Sequence, residues 1–225
     1  MSQESQISFR MEGVCFCDFA TPRPSGLIFH SKRHHRHLSA MDAMVAKFQL
    51  QPHPEGGYFR ETYRSPASVL HPTLGGERSA STSILFLLTP MNVSRFHRIA
   101  SDEVWHFYSG SPMTVVELRE GGAMVKTVLG NSTCDLLSGD MVVQHCVRAG
   151  TWFGSYGNEG GEYSLVGCTV APGFDFSDFE LASRSRLLAL FAGDESSASP
   201  STSPSTSPAM SPVRAEIIRL TEGLP

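Results

Sequence analysis

From residue 79 to residue 171 the chain divides into short strand-like pieces, and nothing between them reads as a helix. The pieces are 79–89, 94–98, 103–108, 113–119, 123–129, 133–137, 141–147, 151–156 and 163–171. Turn signals part them, among them Thr89-Pro90-Met91-Asn92, Gly110-Ser111-Pro112, Glu120-Gly121-Gly122, Ser138-Gly139-Asp140 and Asn158-Glu159-Gly160-Gly161. Many short strands with regular Gly and Pro punctuation predict an all-β sandwich or barrel. A doubly wound sheet is excluded, because it needs a helix between successive strands.

The flanks read differently. Residues 1–38 show no sustained periodicity and close on the polar tract HSKRHHRH (30–37), which predicts a disordered extension. Ser39 with Asp42 resembles a capping box, and Met41, Met44, Val45 and Phe48 recur at helical spacing, so a short helix is expected over about 40–48. In LQPHPEGGYFRETYRS (50–65), Pro52 and Pro54 forbid a helix, Gly56-Gly57 makes a turn, and YFRETYR alternates as a strand does. After APGF (171–174), Ser177 with Glu180 forms a second capping box, and Phe179, Leu187, Leu188 and Phe191 line one side of an expected helix ending at Gly193. The run SSASPSTSPSTSPAMSP (196–212) cannot bury enough apolar surface to fold. One domain over 39–193 is expected, followed by a Ser/Thr/Pro-rich disordered tail over 194–225 whose last residues form at most a short amphipathic turn.

Composition narrows the function classes. A net charge of −4 with no basic stripe argues against nucleic acid as a partner. No apolar run approaches the roughly 20 residues that span a bilayer, so no membrane partner is expected. Five cysteines, with Cys15 and Cys17 as the only close pair, make neither a disulfide framework nor a zinc pattern, and read as small thiols in a reducing compartment. The first thirty residues lack the basic start, apolar run and cleavage site of a secretory signal. A cytoplasmic location is expected.

Chemistry concentrates in SRFHRIASDEVWHFYSG (94–110). Side chains alternate along a strand, so if Glu103 faces the interior, Trp105 and Phe107 do too. A carboxylate in an apolar interior costs several kcal/mol unless something pairs with it. His97, six residues earlier, is the expected partner. A polar pair among aromatic rings suits a small-molecule site, although such a pair can also be purely structural.

QPHPEGGYFRETYRS, RSASTSILFLL, FHRIASDEVWHFYSG, AGTWFGS (149–155) and APGFDFSDFEL (171–181) resemble, in that order, the type-five cupin family of jelly-roll proteins of unknown function. The likeness spans about residues 40–192. It implies an all-β, single-domain cupin double-stranded β-helix with a short N-terminal and a short C-terminal helix, paired as a homodimer through sheet edges. In cupins two histidines and a glutamate of a first motif, with a histidine of a second, hold a metal. His97 matches the first histidine, Glu103 the glutamate and Gly110 the closing glycine. Ile99 stands at the second histidine position, and Arg148, Gly150 and Phe153 stand where the second motif has proline, glycine and its histidine. His145 is out of register. Two ligands of four remain, which would hold a divalent metal only weakly; no metal and no cofactor are expected.

Two functions fit. One is a metal-independent isomerase or epimerase acting on a sugar or sugar-nucleotide-like metabolite, similar to the carbohydrate epimerases that share the jelly roll. His97 and Glu103 would be catalytic, with the carboxylate orienting the imidazole as base and Tyr63 or Tyr163 as acid. The other is a non-catalytic small-ligand-binding or storage-like cupin. Trp105, Phe107 and Trp152 are candidate stacking faces, and Arg60, Arg64 and Arg78 candidate anchors beside Tyr63. The composition holds no bulk store of Gln, Asn or Arg, which counts against storage.

Overall fold

The computed structural model describes residues 39–191 and 211–221; the expected extension over 1–38 and most of the Ser/Thr/Pro run lie outside the described residues. Two antiparallel sheets face one another. The first is ordered β1 (Gln51–Pro52), β2 (Tyr58–Arg64), β5 (Thr82–Leu88), β12 (Ser164–Ala171), β7 (Asp102–Gly110), β10 (Gln144–Val147). The second is ordered β13 (Glu180–Leu181), β6 (Val93–Arg98), β11 (Trp152–Gly157), β8 (Met113–Leu118), β9 (Met124–Leu129). A hairpin of β3 (Ser68–Leu70) and β4 (Glu77–Ser79) stands apart from both. The fold is therefore all-β, as the strand pattern implied, and the jelly roll that the family resemblance implied.

The inner faces supply the core. Phe86, Trp105, Phe107, Val166 and Cys168 from the first sheet meet Met113, Val115, Leu129 and Phe153 from the second. Every residue of β8 is buried, because its outer face is covered as well. There Val116 and Leu118 pack with Phe96 and Trp152 under α3 (Arg184–Phe191) and α4 (Pro212–Arg219), through Leu187, Ile217 and Leu220. The backbone N–H of Phe96 donates to the Leu220 carbonyl at 3.0 Å. Residues 211–221 are thus part of the domain rather than of a tail, which corrects the expected boundary at 193.

The N-terminal helix, α1 (Ala40–Phe48), forms with the expected capping box between Ser39 and Asp42. Met41, Met44, Val45 and Phe48 pack on Leu50, Leu87 and Leu165 at the outer face of the first sheet. Two local expectations fail. Residues 133–138 form a helix, α2 (Thr133–Ser138), ended by Gly139 at φ 85°, where a strand was expected. A five-residue stretch is too short for its periodicity to separate the two. The helix expected from Ser177 starts instead at Arg184. The side chain of Asp175 accepts from the Ser177 N–H to make a single 3-10 turn, and Glu180 and Leu181 then pair with β6. Arg98 at 2.6 Å and Arg186 both bind the Glu180 carboxylate, so strand pairing and ion pairs outweigh the local helical signal.

Candidate functional site

The site begins with the His53-Pro54-Glu55-Gly56-Gly57 turn between β1 and β2. Hydrogen bonds from His53 N–H to the Gly57 carbonyl (3.1 Å) and from Gly56 N–H to the His53 carbonyl (3.0 Å) close it. Gly56 has φ 113°, and a Cβ there would run into the Val93 carbonyl, so this turn needs glycine. Arg95 stitches the turn to β6, its backbone N–H donating to the Glu55 carbonyl at 2.9 Å and its Nε at 3.1 Å. The Glu55 side chain is thereby directed between the sheets. Its Oε1 accepts from Ser94 Oγ at 2.7 Å, and its Oε2 lies 3.3 Å from both His53 Nδ1 and His97 Nε2.

His97 therefore pairs with Glu55, which corrects the expected His97–Glu103 pair. Its Nδ1 donates to the Arg95 carbonyl at 2.7 Å. Its ring lies 4.1 Å from that of Phe153 and 5.4 Å from that of Phe179. With Nδ1–H given to a carbonyl, Nε2 turns its lone pair toward Glu55 Oε2, so the two acceptor atoms together have room for a proton. Burial pushes the Glu55 carboxyl up, but His97, His53 and the Ser94 hydroxyl more than offset it and hold it below its usual value. Burial lowers His97, against the pull of Glu55 and of the Arg95 carbonyl.

Glu103 lies in the same cavity without a cation. Its relative exposure is 7%, against 6% for Glu55 and 2% for His97. Burial first, and then the charge of Glu55, raise its carboxyl to about 8, while a hydrogen bond from the Cys168 thiol partly opposes them. Glu103 is accordingly a neutral acid near pH 7 and Glu55 a carboxylate. The cavity that holds both measures about 70 Å³, or about 620 Å³ with its open mouth included. Phe59, Phe86, Phe174, Phe176 and Phe179 wall it, with Ile99 at its side and Glu61 and Arg64 also lining it.

The other expected residues lie elsewhere. Trp105 and Phe107 share the inner face with Glu103 but belong to the packed core and do not line the cavity. Trp152 faces the outer cluster, with Arg98 and Arg186 over its ring at 4.7 and 5.4 Å. Arg60 bonds Gln49, Arg78 forms a bidentate pair with Asp178, and Tyr63 is half exposed. Tyr163 packs in the cluster under α1. No tyrosine lines the cavity, so the acid expected from Tyr63 or Tyr163 is not where the polar groups gather. Of the candidate anchors only Arg64 reaches it. Sequence reasoning missed His53, Glu55, Cys168 and Phe179. The visible signal was a His and a Glu just before a Gly-Gly turn directly ahead of a strand.

Two of the positions at which cupins carry metal ligands hold apolar side chains here. Ile99 lines the cavity at one ligand position, Phe153 covers His97 at another, and His97 Nε2 is turned to Glu55. Among the described residues no three His, Cys, Asp or Glu side chains are grouped as a metal site, whereas catalytic metals keep about three protein ligands. No described helix is long and apolar enough to cross a membrane.

Comparison with known proteins agrees with this architecture. Residues 42–182 match the family model described as Cupin superfamily (DUF985). The uncharacterized protein YML079W of Saccharomyces cerevisiae is 31% identical over 173 residues, covering 71% of this chain and 84% of the relative. A solved hypothetical protein from Leishmania major is 33% identical with a TM-score of 0.61, over 68% of this chain and 93% of its own. Protein SO0799 from Shewanella oneidensis is 38% identical with a TM-score of 0.59, over 67% and 89%. The chain belongs to the Cupin superfamily (DUF985) family.

Proposed function

We propose that this member of the Cupin superfamily (DUF985) family binds a small polar metabolite of the sugar class in its barrel and moves a proton next to the ligand's carbonyl, as a metal-independent isomerase or epimerase does. One observation carries the reading: two buried carboxyl groups share a cavity, Glu55 against two histidines and Glu103 with no cation beside it. Environments that push two acids apart in this way are how a single site supplies both a base and an acid at neutral pH. The Glu55–His97 pair, two acceptor atoms 3.3 Å apart, has room for a proton and is the base. Glu103 carries the proton to be given. The C–H electron pair of the ligand moves to form the enol double bond, the carbonyl oxygen takes the Glu103 proton, and the Glu55–His97 pair keeps the carbon's proton until it is returned. His97 is thus retained in catalysis, but through Glu55 rather than Glu103.

Exchange of a ligand's carbon-bound hydrogen with deuterated water tests this. Exchange is expected with the unaltered protein, and His97→Ala or Glu55→Gln should slow it by about 10²–10⁴-fold. No exchange across a broad panel of sugars overturns the catalytic reading. One feature favours binding without turnover: both nitrogens of His97 are engaged, by Arg95 and by Glu55. In that case a metabolite would raise the melting temperature as mass action requires and exchange nothing.

A further inference from the structure

The charge inside the cavity is one-sided. Glu55, Glu61 and Glu103 line it, and Arg64 is the one Arg or Lys among its lining residues. That guanidinium is already taken. Its Nε and Nη2 donate to the two Glu61 oxygens at 3.0 and 2.7 Å, and Nη1 donates to the Phe174 carbonyl at 3.2 Å. The two remaining basic side chains, His53 and His97, both face Glu55 Oε2. An arriving anion would therefore meet a carboxylate and, among the described residues, no unpaired cation. Like charges about 5 Å apart in such an interior weaken binding by roughly a hundredfold.

What the cavity offers instead is hydrogen bonding to neutral groups. Glu103 is buried in a cavity that Ile99, Phe86 and Val170 also line, with only Glu55 and the Cys168 thiol acting on it, and a carboxyl so placed keeps its proton. It then donates an O–H, which a ligand carbonyl or hydroxyl oxygen can accept. Glu55 accepts from a ligand hydroxyl. The five phenylalanines give flat apolar walls against which the C–H faces of a polyol can lie.

We propose that this cavity selects uncharged hydroxy-carbonyl compounds, such as free sugars, and rejects their phosphorylated, carboxylated and nucleotide-linked forms. The proposal rests on the reading of the cavity as the ligand site, and narrows it from the sugar and sugar-nucleotide class to the neutral member. Binding also depends on pH through the group that donates. Glu103 faces Glu55 and Cys168, with His53 and His97 behind Glu55 and with Glu61 and Arg64 farther along the lining. Of these, Glu103 titrates at about 8, so affinity for a neutral acceptor should fall as pH rises past that value.

Calorimetric titration of the full chain with matched probes decides the matter: glyceraldehyde, glucose and fructose against glyceraldehyde 3-phosphate, glucose 6-phosphate, gluconate and UDP-glucose. At least one neutral probe is expected to bind at pH 7 about a hundredfold more tightly than its anionic counterpart. That binding should weaken up to about tenfold at pH 9 in the parent, and persist at pH 9 in Glu103→Gln, whose amide still donates. Ile99→Phe, which fills the cavity, should abolish it; Val170→Phe repeats the control if the first variant does not fold. An anionic probe that binds as tightly as its neutral partner, and is lost in the filled-cavity variant, overturns the selectivity while leaving the cavity as the ligand site. Binding that survives a filled cavity, or no binding by any probe, overturns both.

Discussion

Glu103 and Glu117 lie on β7 and β8, adjacent strands in sequence on opposite sheets, and both are buried. Their surroundings differ completely. Glu117 accepts from His145 Nε2 at 2.8 Å and from Arg119 at 3.4 Å. Burial pushes its carboxyl up, but His145 and Arg119 outweigh that and hold it below the usual range. Glu103 has only a thiol and another carboxylate nearby, and rises to about 8. The difference separates a carboxylate that the fold has satisfied from one held in a strained protonation balance. The second kind is the better pointer to chemistry. It also gives His145 a role: although out of register with any cupin ligand, it makes a structural hydrogen bond to Glu117.

The two carboxyls should therefore respond in opposite ways to the same chemical change. At neutral pH a loss of stability is expected at the satisfied one. Glu117→Gln removes the charge that His145 and Arg119 share, and should cost about 1–3 kcal/mol near pH 7, read by denaturant unfolding. If it costs nothing, the contrast between the sites is broken. A pH-dependent effect of the opposite sign is expected at Glu103→Gln. The folded protein keeps the Glu103 proton up to about 8, whereas the unfolded chain releases it near 4.5. The folded state thus binds more protons between those values, and the parent loses stability as pH rises through that window. The glutamine variant lacks this loss, so its melting temperature relative to the parent should climb from pH 5 to pH 8 and level off above. A flat difference would mean that Glu103 is ionised in the fold. The smallest effect is expected from His145→Asn, which keeps a donor to Glu117. It should cost well under the loss from Glu117→Gln, and mainly raise the pH at which acid unfolding begins, as the depressed Glu117 value relaxes upward.

The β architecture was legible because glycine and proline punctuation marks strand ends directly, and α1 because Ser39 and Asp42 form a cap that needs no tertiary help. What escaped was set by distant contacts. α2 and α4 are short, and α4 owes its place to Ile217 and Leu220 meeting a sheet more than a hundred residues earlier in the chain. The site was half legible. His97 and Glu103 both line the cavity, yet they were paired with each other because they are six residues apart. β6 and β7 belong to different sheets, so nearness along the chain does not make their side chains partners. The true partner, Glu55, arrives from a turn 42 residues before His97 and reaches it only because glycine at 56 allows the backbone past the Val93 carbonyl. The aromatic residues followed the same rule. Trp105 and Trp152 are conspicuous in sequence but serve packing, while Phe179, beyond the last long strand, closes over His97.

The hydrogen bond from Phe96 to the Leu220 carbonyl has a consequence for biosynthesis. Phe96 neighbours His97 on β6, and its two backbone groups are claimed by Leu220 and by Ala182. A chain emerging from the ribosome can pair most of its strands early, but the strand that carries the site histidine keeps an unpaired N–H and an uncovered outer face until residue 220 has been made. The domain is therefore completed from its far end, and a message broken before codon 211 should yield a barrel with Phe96, Leu118 and Leu187 open to water and prone to aggregate.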